Sequence, residues 1–242
     1  MRLNREFDIA AAQARLGRDR RGALPDLLDP ASLEQLRAAI GDIPRWTLVT
    51  RLGGQHINLD AAAMETLPSA QRAEFDRRVA AEAAAGFQYL YETFAIYDKW
   101  HAGVLREEAP ALADLFEWLN SDDFLDPMRE ILGAPDIAFC DGQLTRYRAG
   151  HFLTTHDDAV AGKNRVAAYV LSLTEGWQEN WGGNLEFYDA AGGLETRLVP
   201  QLNTLSLFKV PQPHAVTKVR GDIGARRLSI IGWLRRGEDP GP

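Results

Sequence analysis

The chain has 242 residues, a hydrophobic fraction of 45% and a formal net charge of −7. That balance, with basic clusters no longer than Arg18-Asp19-Arg20-Arg21 and Arg226-Arg227, excludes a general nucleic-acid surface, which needs many phosphate neutralisations. The lone Cys140 excludes an internal disulfide and fits a reducing compartment, and no segment reads as a signal peptide or an apolar membrane span, so a cytoplasmic protein away from membranes is expected.

The first half reads as helical. Pro30 to Ile40 spaces Leu33, Leu36 and Ile40 on one face behind Asp29 as a cap. Between Trp46 and Asp60 a strand runs into a loop around Gly53-Gly54, and Arg51 to Pro68 reads as a lid without regular structure. Helices follow at Ser69 to Ala85, Ala109 to Leu119 and Ser121 to Leu132, the last capped by Ser121 and closed by Gly133 and Pro135. From about Ile137 the character changes to short β-rich runs separated by turns. They are Ile137 to Tyr147, Phe152 to Thr155, Val166 to Leu173, Asn184 to Tyr188, Glu195 to Val199, Thr204 to Val210, Ala215 to Val219 and Arg227 to Leu234. The expected fold is mainly β with a helical annex: a jelly roll over 137–236, buttressed by a helical region 1–136, as one structural domain. Cys140, in an apolar run, is expected to be a small buried residue and not a reactive thiol.

The chemistry concentrates at His156-Asp157-Asp158 and His214. Side chains two apart on a strand share a face, so His156 and Asp158 point into one cavity and Asp157 points away. Two imidazoles and one carboxylate are the donor set of a facial triad for non-haem Fe(II), and the same residues would also serve a zinc site. His56, His101 and His151 lack such company and read as surface or local hydrogen-bonding residues. On the last strand, Arg227, Ser229, Ile231 and Trp233 share a face. A guanidinium binds a carboxylate through two parallel hydrogen bonds and a hydroxyl can add a third, so Arg227 and Ser229 read as an anchor for a dicarboxylate cosubstrate, with Arg226 outward. Tyr147 reads either as a pocket hydroxyl or as an edge-strand aromatic, and Trp177 and Trp181 as caps of the sandwich.

These motifs resemble, in order, the prolyl-hydroxylase branch of the 2-oxoglutarate/Fe(II) dioxygenases. The resemblance runs from Cys140 to Trp233 and rests on Arg146-Tyr147, Phe152 to Asp158, Trp181-Gly182-Gly183-Asn184-Leu185-Glu186-Phe187-Tyr188, Asn203 to Phe208, Pro213-His214 and Arg227-Leu228-Ser229-Ile230-Ile231-Gly232-Trp233. The His-Asp-Asp form and the Arg-Leu-Ser-Ile ending are most similar to the sub-branch that hydroxylates a proline in a ribosomal protein. That sub-branch commonly carries a second, degenerate barrel for which 242 residues leave no room. The resemblance implies a double-stranded β-helix, Fe(II) on His156, Asp158 and His214, and 2-oxoglutarate meeting Arg227 with its distal carboxylate. It also implies O2 as second cosubstrate and succinate as coproduct. Ser172 stands where many prolyl hydroxylases have a tyrosine on the cosubstrate; Tyr169 is expected to face outward, and Ser229 and Tyr147 to compensate. Retention of Asp158 points to hydroxylation and not halogenation. The expected substrate is a prolyl residue in a protein or peptide. The alternatives are a free amino acid or small natural product, a non-catalytic barrel that binds a metal or metabolite, and a zinc hydrolase.

Overall fold

The computed structural model describes residues 1–41, 43 and 45–242. In chain order its elements are α1 (Ile9–Asp19), β1 (Arg21–Leu24), α2 (Pro30–Gly41), β2 (Thr47–Leu52), β3 (Gln55–Asp60), α3 (Ala61–Glu65), α4 (Ser69–Ala85) and β4 (Tyr89–Phe94). Next come α5 (Ile96–His101), α6 (Leu105–Glu108), α7 (Pro110–Leu119), α8 (Asp122–Leu132), β5 (Ile137–Cys140), β6 (Gln143–Tyr147), β7 (Phe152–His156) and β8 (Arg165–Ser172). The chain closes with β9 (Leu185–Tyr188), β10 (Leu194–Leu198), β11 (Thr204–Lys209), β12 (His214–Val216) and β13 (Arg227–Arg236).

Side-chain alternation builds two cores from one sheet. Along β8, Ala167, Tyr169 and Leu171 face a large core backed by helices, while Ala168 and Val170 face the opposite side. On β11, Leu205 and Leu207 take the helical side and Phe208 the other. The helical side is filled by Leu112, Leu115, Phe116 and Leu119 of α7 and Phe124, Leu125 and Met128 of α8, all buried. The opposite side is the interior of a jelly roll, with Tyr147, Phe187, Phe208 and Val216 around it. Strands pair antiparallel along the path β1-β11-β8-β13-β6-β4-β7-β12-β9-β10, with β2-β3 added to β4 and β5 to β13. The two ends of this path meet through one side chain: Arg21 of β1 donates to Thr196 Oγ1 (3.1 Å) and Glu195 Oε2 (2.7 Å) of β10.

The expected helices at α2, α4, α7 and α8 form with nearly the expected bounds. Asp29 caps α2 by accepting from Ala31 N (3.0 Å) and Ser32 N (3.3 Å). Ser121 does not cap α8 in this way, because its hydroxyl donates back to Trp118 O (2.7 Å). Gly133 closes that helix in the left-handed region, at φ 60.

Three expectations need correction. Region 1–136 is not a purely helical annex, since β1 pairs with β11 and β4 lies between β6 and β7 in the sheet. The alternating, aromatic-rich run Tyr89-Leu90-Tyr91-Glu92-Thr93-Phe94 is a strand by composition. Ile137 to Tyr147 is two strands, β5 and β6, both paired with β13. And 51–68 is not a structureless lid. Thr47 to Leu52 pairs in register with Asp60 to Gln55, and the turn places Gly53 and Gly54 at φ 61 and 76, where a two-residue hairpin needs positive φ at both positions. Helix α3 follows, capped by Asp60 on Ala63 N (2.9 Å).

Candidate metal and cosubstrate site

Strand β7 ends on His156, which lies opposite His214 of β12. Their ring centroids are 4.1 Å apart. Each ring turns its Nδ1 toward a main-chain carbonyl two residues back: His156 to Thr154 O (3.0 Å) and His214 to Gln212 O (2.8 Å). A carbonyl only accepts, so in the neutral rings Nδ1 carries the proton and Nε2 presents its lone pair. Both lone pairs meet Asp158, with Nε2 of His156 3.3 Å from Oδ1 and Nε2 of His214 3.4 Å from Oδ2. One ligand atom from each residue lies within 4.8 Å of the others.

Asp158 faces inward, as expected, but not for the expected reason. The strand has ended, and a left-handed residue (φ 64) turns the carboxylate back to the histidines. Aspartate tolerates this conformation better than most residues. Asp157 is exposed and spends an oxygen on Ala159 N (3.0 Å).

Burial alone would raise the Asp158 pKa, but the two adjacent imidazoles outweigh it, and it lies below the usual carboxylate range. Burial, reinforced by adjacent His156, pushes His214 down to about 4 against the pull of Asp158. The ring is therefore neutral at physiological pH, the form that ligates a metal.

The same cavity, about 380 Å³, is lined by His156, Asp158, His214, Tyr147, Arg227 and Trp233. Cross-strand pairing explains the company. Arg227 lies opposite Tyr147, Ser229 opposite Thr145 and Ser172, and Trp233 opposite Ala168, all on the inner face. Arg227 is 3% exposed, its Nε has no hydrogen-bond partner among the described residues, and its guanidinium carbon lies 5.0 Å from the Tyr147 ring centroid. Burial pulls its pKa below the usual arginine value, yet arginine stays charged. An unpaired buried cation is costly. Arg226 is exposed, as expected.

Tyr147 is a buried cavity residue and not an edge aromatic; it stacks on Tyr91 at 5.2 Å with a 13° tilt. Ser229 shares the inner row beside Ser172, and its hydroxyl has no partner among the described residues, but it is not among the residues that line the cavity. Tyr169 turns away into the helical core, its hydroxyl donating to Asp141 O (2.8 Å). Trp177 and Trp181 meet edge to face outside the cavity lining, with Trp177 Nε1 donating to Gly182 O (2.7 Å). Cys140 is buried, and burial raises its thiol pKa.

Two features carried too little sequence signal. Arg165, at the start of β8, donates to Asp158 O (3.0 Å) and stacks 3.5 Å over Trp233. An arginine entering an apolar strand is its only trace. Tyr89 and Tyr91 of β4 reach the cavity from the half that read as helical. His56 is exposed and meets the Tyr89 hydroxyl (2.6 Å), and His101 pairs with Asp239 (3.2 Å).

His151 corrects the surface reading. It is 4% exposed, its Nδ1 has no partner, and burial holds its pKa at about 4, against 6.5 in water. The unfolded chain takes up this proton first as pH falls, so stability present above about pH 6.5 is lost as pH drops through about 4. The expected loss is on the order of 3 kcal/mol. In urea titrations of the metal-free protein at neutral pH and at about pH 5, His151→Leu should be less acid-sensitive than the natural chain. Equal acid sensitivity would rule out this origin.

Residues 142–235 match the family model of the 2OG-Fe(II) oxygenase superfamily. That stretch, less than half of the chain, is similar to 2OG-Fe(II) oxygenases. The chain is 30% identical over 123 residues to prolyl 3-hydroxylase OGFOD1 of Mus musculus, covering 48% of this chain and 22% of that protein. It thus spans about a fifth of that relative's length. The fold is shared with a prolyl-4-hydroxylase from Pseudomonas putida (TM-score 0.59, 19% identity, 96% of this chain and 100% of that one). It is also shared with an oxidoreductase of the 2OG-Fe(II) oxygenase family from Burkholderia pseudomallei (TM-score 0.61, 15% identity, 100% and 98%). Among the described residues no helix is long and apolar enough to cross a membrane.

Proposed function

We propose that this protein is an Fe(II)- and 2-oxoglutarate-dependent dioxygenase that hydroxylates a prolyl residue in a protein or peptide. One observation carries the reading: a two-histidine, one-carboxylate cluster faces the same cavity as a buried arginine whose Nε lacks a partner. The donor set suits Fe(II), and the orphaned guanidinium suits the distal carboxylate of 2-oxoglutarate. His156, Asp158 and His214 hold the metal. Arg227 binds the cosubstrate, and the Tyr147 hydroxyl, kept protonated by burial, is a donor beside it. Arg165 and Trp233 line the cavity beside Asp158. Iron with 2-oxoglutarate, when bound, supplies oxidation of an unactivated C–H by O2; the protein orients the reactants and excludes water.

A prolyl substrate is supported by the similarity to a prolyl 3-hydroxylase over 123 residues. A zinc hydrolase built on the same ligands leaves Arg227 without a purpose. The jelly-roll core and the N-terminal elements work as one unit, and the cavity residue Tyr89 meets His56 of the β2–β3 hairpin. We further infer a cytoplasmic location, which fractionation of the native host tests. The activity is tested by succinate release from 2-oxoglutarate with Fe(II), and by mass spectrometry of lysate peptides for gain of one oxygen on proline. Oxygen gain confined to free amino acids would shift the reading to a small-molecule hydroxylase, and no substrate-stimulated succinate release would refute it.

A further inference from the structure

Each histidine of the cluster is held through a main-chain carbonyl, and each carbonyl is tied to the N-terminal half by a buried glutamine. Gln212 is 6% exposed and fully engaged. Its Nε2 donates to Arg20 O (2.9 Å) and Lys209 O (3.0 Å), and its Oε1 accepts from Arg21 Nη1 (2.9 Å). Two carbonyls and one guanidinium leave only this amide orientation. Its own carbonyl accepts the His214 Nδ1 proton (2.8 Å). The Arg21 guanidinium also stacks 5.0 Å from the Phe187 centroid, and Phe187 packs 5.9 Å from the His214 ring.

Gln88 plays the matching part for His156. It is 0% exposed. Its side chain donates to Arg51 O (2.9 Å) and accepts from Arg51 N (3.0 Å), which staples it to β2. Its main chain grips Thr154: Gln88 N donates to Thr154 Oγ1 (2.8 Å), and Thr154 N donates to Gln88 O (2.9 Å). Thr154 O in turn accepts the His156 Nδ1 proton (3.0 Å). Sequence distance hides the pattern, since Arg21 and Gln212 are 191 positions apart and Gln88 and Thr154 are 66 apart.

We propose that Gln88 and Gln212 are positioning residues for the two histidines, and that through them β1 and β2 set the affinity of the metal site. This rests on the reading of His156, Asp158 and His214 as metal ligands. The amides touch no reactant; they fix the carbonyls that choose each ring's tautomer and direction. Groups in this role are worth about 10–100-fold in metal affinity.

The test uses the full chain and Mn(II) titration of the metal-free protein, with the Co(II) d–d spectrum as a second readout. Gln88→Met, Gln212→Met and Arg21→Met should each weaken Mn(II) by about 10–100-fold and shift the Co(II) bands. Gln13→Met, which removes an exposed bond to Glu130 O, should change neither. Folded Gln88→Met and Gln212→Met proteins with natural Mn(II) affinity and Co(II) spectrum would overturn the proposal. If Gln212→Met fails to fold, Arg21→Met, whose side chain is 15% exposed, decides by the same two readouts, and if Gln88→Met fails to fold, Thr154→Val, which removes the hydroxyl that accepts from Gln88 N, decides in its place. Should the natural protein bind no Mn(II), the ligand assignment itself falls and takes the proposal with it. If it binds Mn(II) and the variants match it, only the positioning role falls.

Discussion

Asp158→Ala will abolish metal binding and 2-oxoglutarate turnover, while Asp157→Ala will leave both close to natural levels. The two carboxylates are adjacent in sequence but opposite in environment. Asp158 is buried against both histidines, whereas Asp157 is exposed and caps the turn at Ala159. Loss of a group behind a ligand costs about 10–100-fold in metal affinity, so loss of the ligand itself should exceed about 100-fold. Mn(II) titration and succinate release on folded variants make the comparison. Equal losses from both substitutions would mean that the turn after β7 presents the wrong carboxylate.

Arg227→Met will raise the apparent KM for 2-oxoglutarate strongly and leave Mn(II) affinity nearly intact. Truncating one partner of a desolvated, hydrogen-bonded charge pair costs about 2–5 kcal/mol, roughly 30- to 4,000-fold. The same substitution should not destabilise the ligand-free protein, and should stabilise it, because it removes a buried cation with an unsatisfied Nε. Thermal unfolding without ligand and 2-oxoglutarate titration should therefore move in opposite directions. Arg226→Ala, at an exposed position, should change neither. A large fall in ligand-free stability with 2-oxoglutarate affinity unchanged would make Arg227 a structural residue.

The strands of the second half were legible because a two-residue period in β-prone side chains is a local property. Thr204 to Lys209 and Arg227 to Arg236 show it in isolation. Strand β1 was not legible, because Arg21-Gly22-Ala23-Leu24 has no strand signature of its own; it forms along the edge of β11. The hairpin at 47–60 was misread for the opposite reason. Gly53-Gly54 suits the middle of a loop by composition, and a tight turn with two positive φ angles needs such a pair as well.

By itself the sequence determined the donor set, two histidines and a carboxylate, and the parity that turns Arg227 inward and Arg226 outward. Both follow from residue chemistry and the strand period. Only the tertiary structure decided the rest. The selection of Asp158 over Asp157 comes from a left-handed turn after the strand, which parity does not encode. The presence of Arg165 and Tyr91 at the cavity, and the burial of His151, depend on which strands become neighbours. So does the attachment of Gln212 to Arg21 across 191 positions. Neighbourhood in a sheet is set by long-range pairing and burial, and the short-range pattern of a chain carries little record of it.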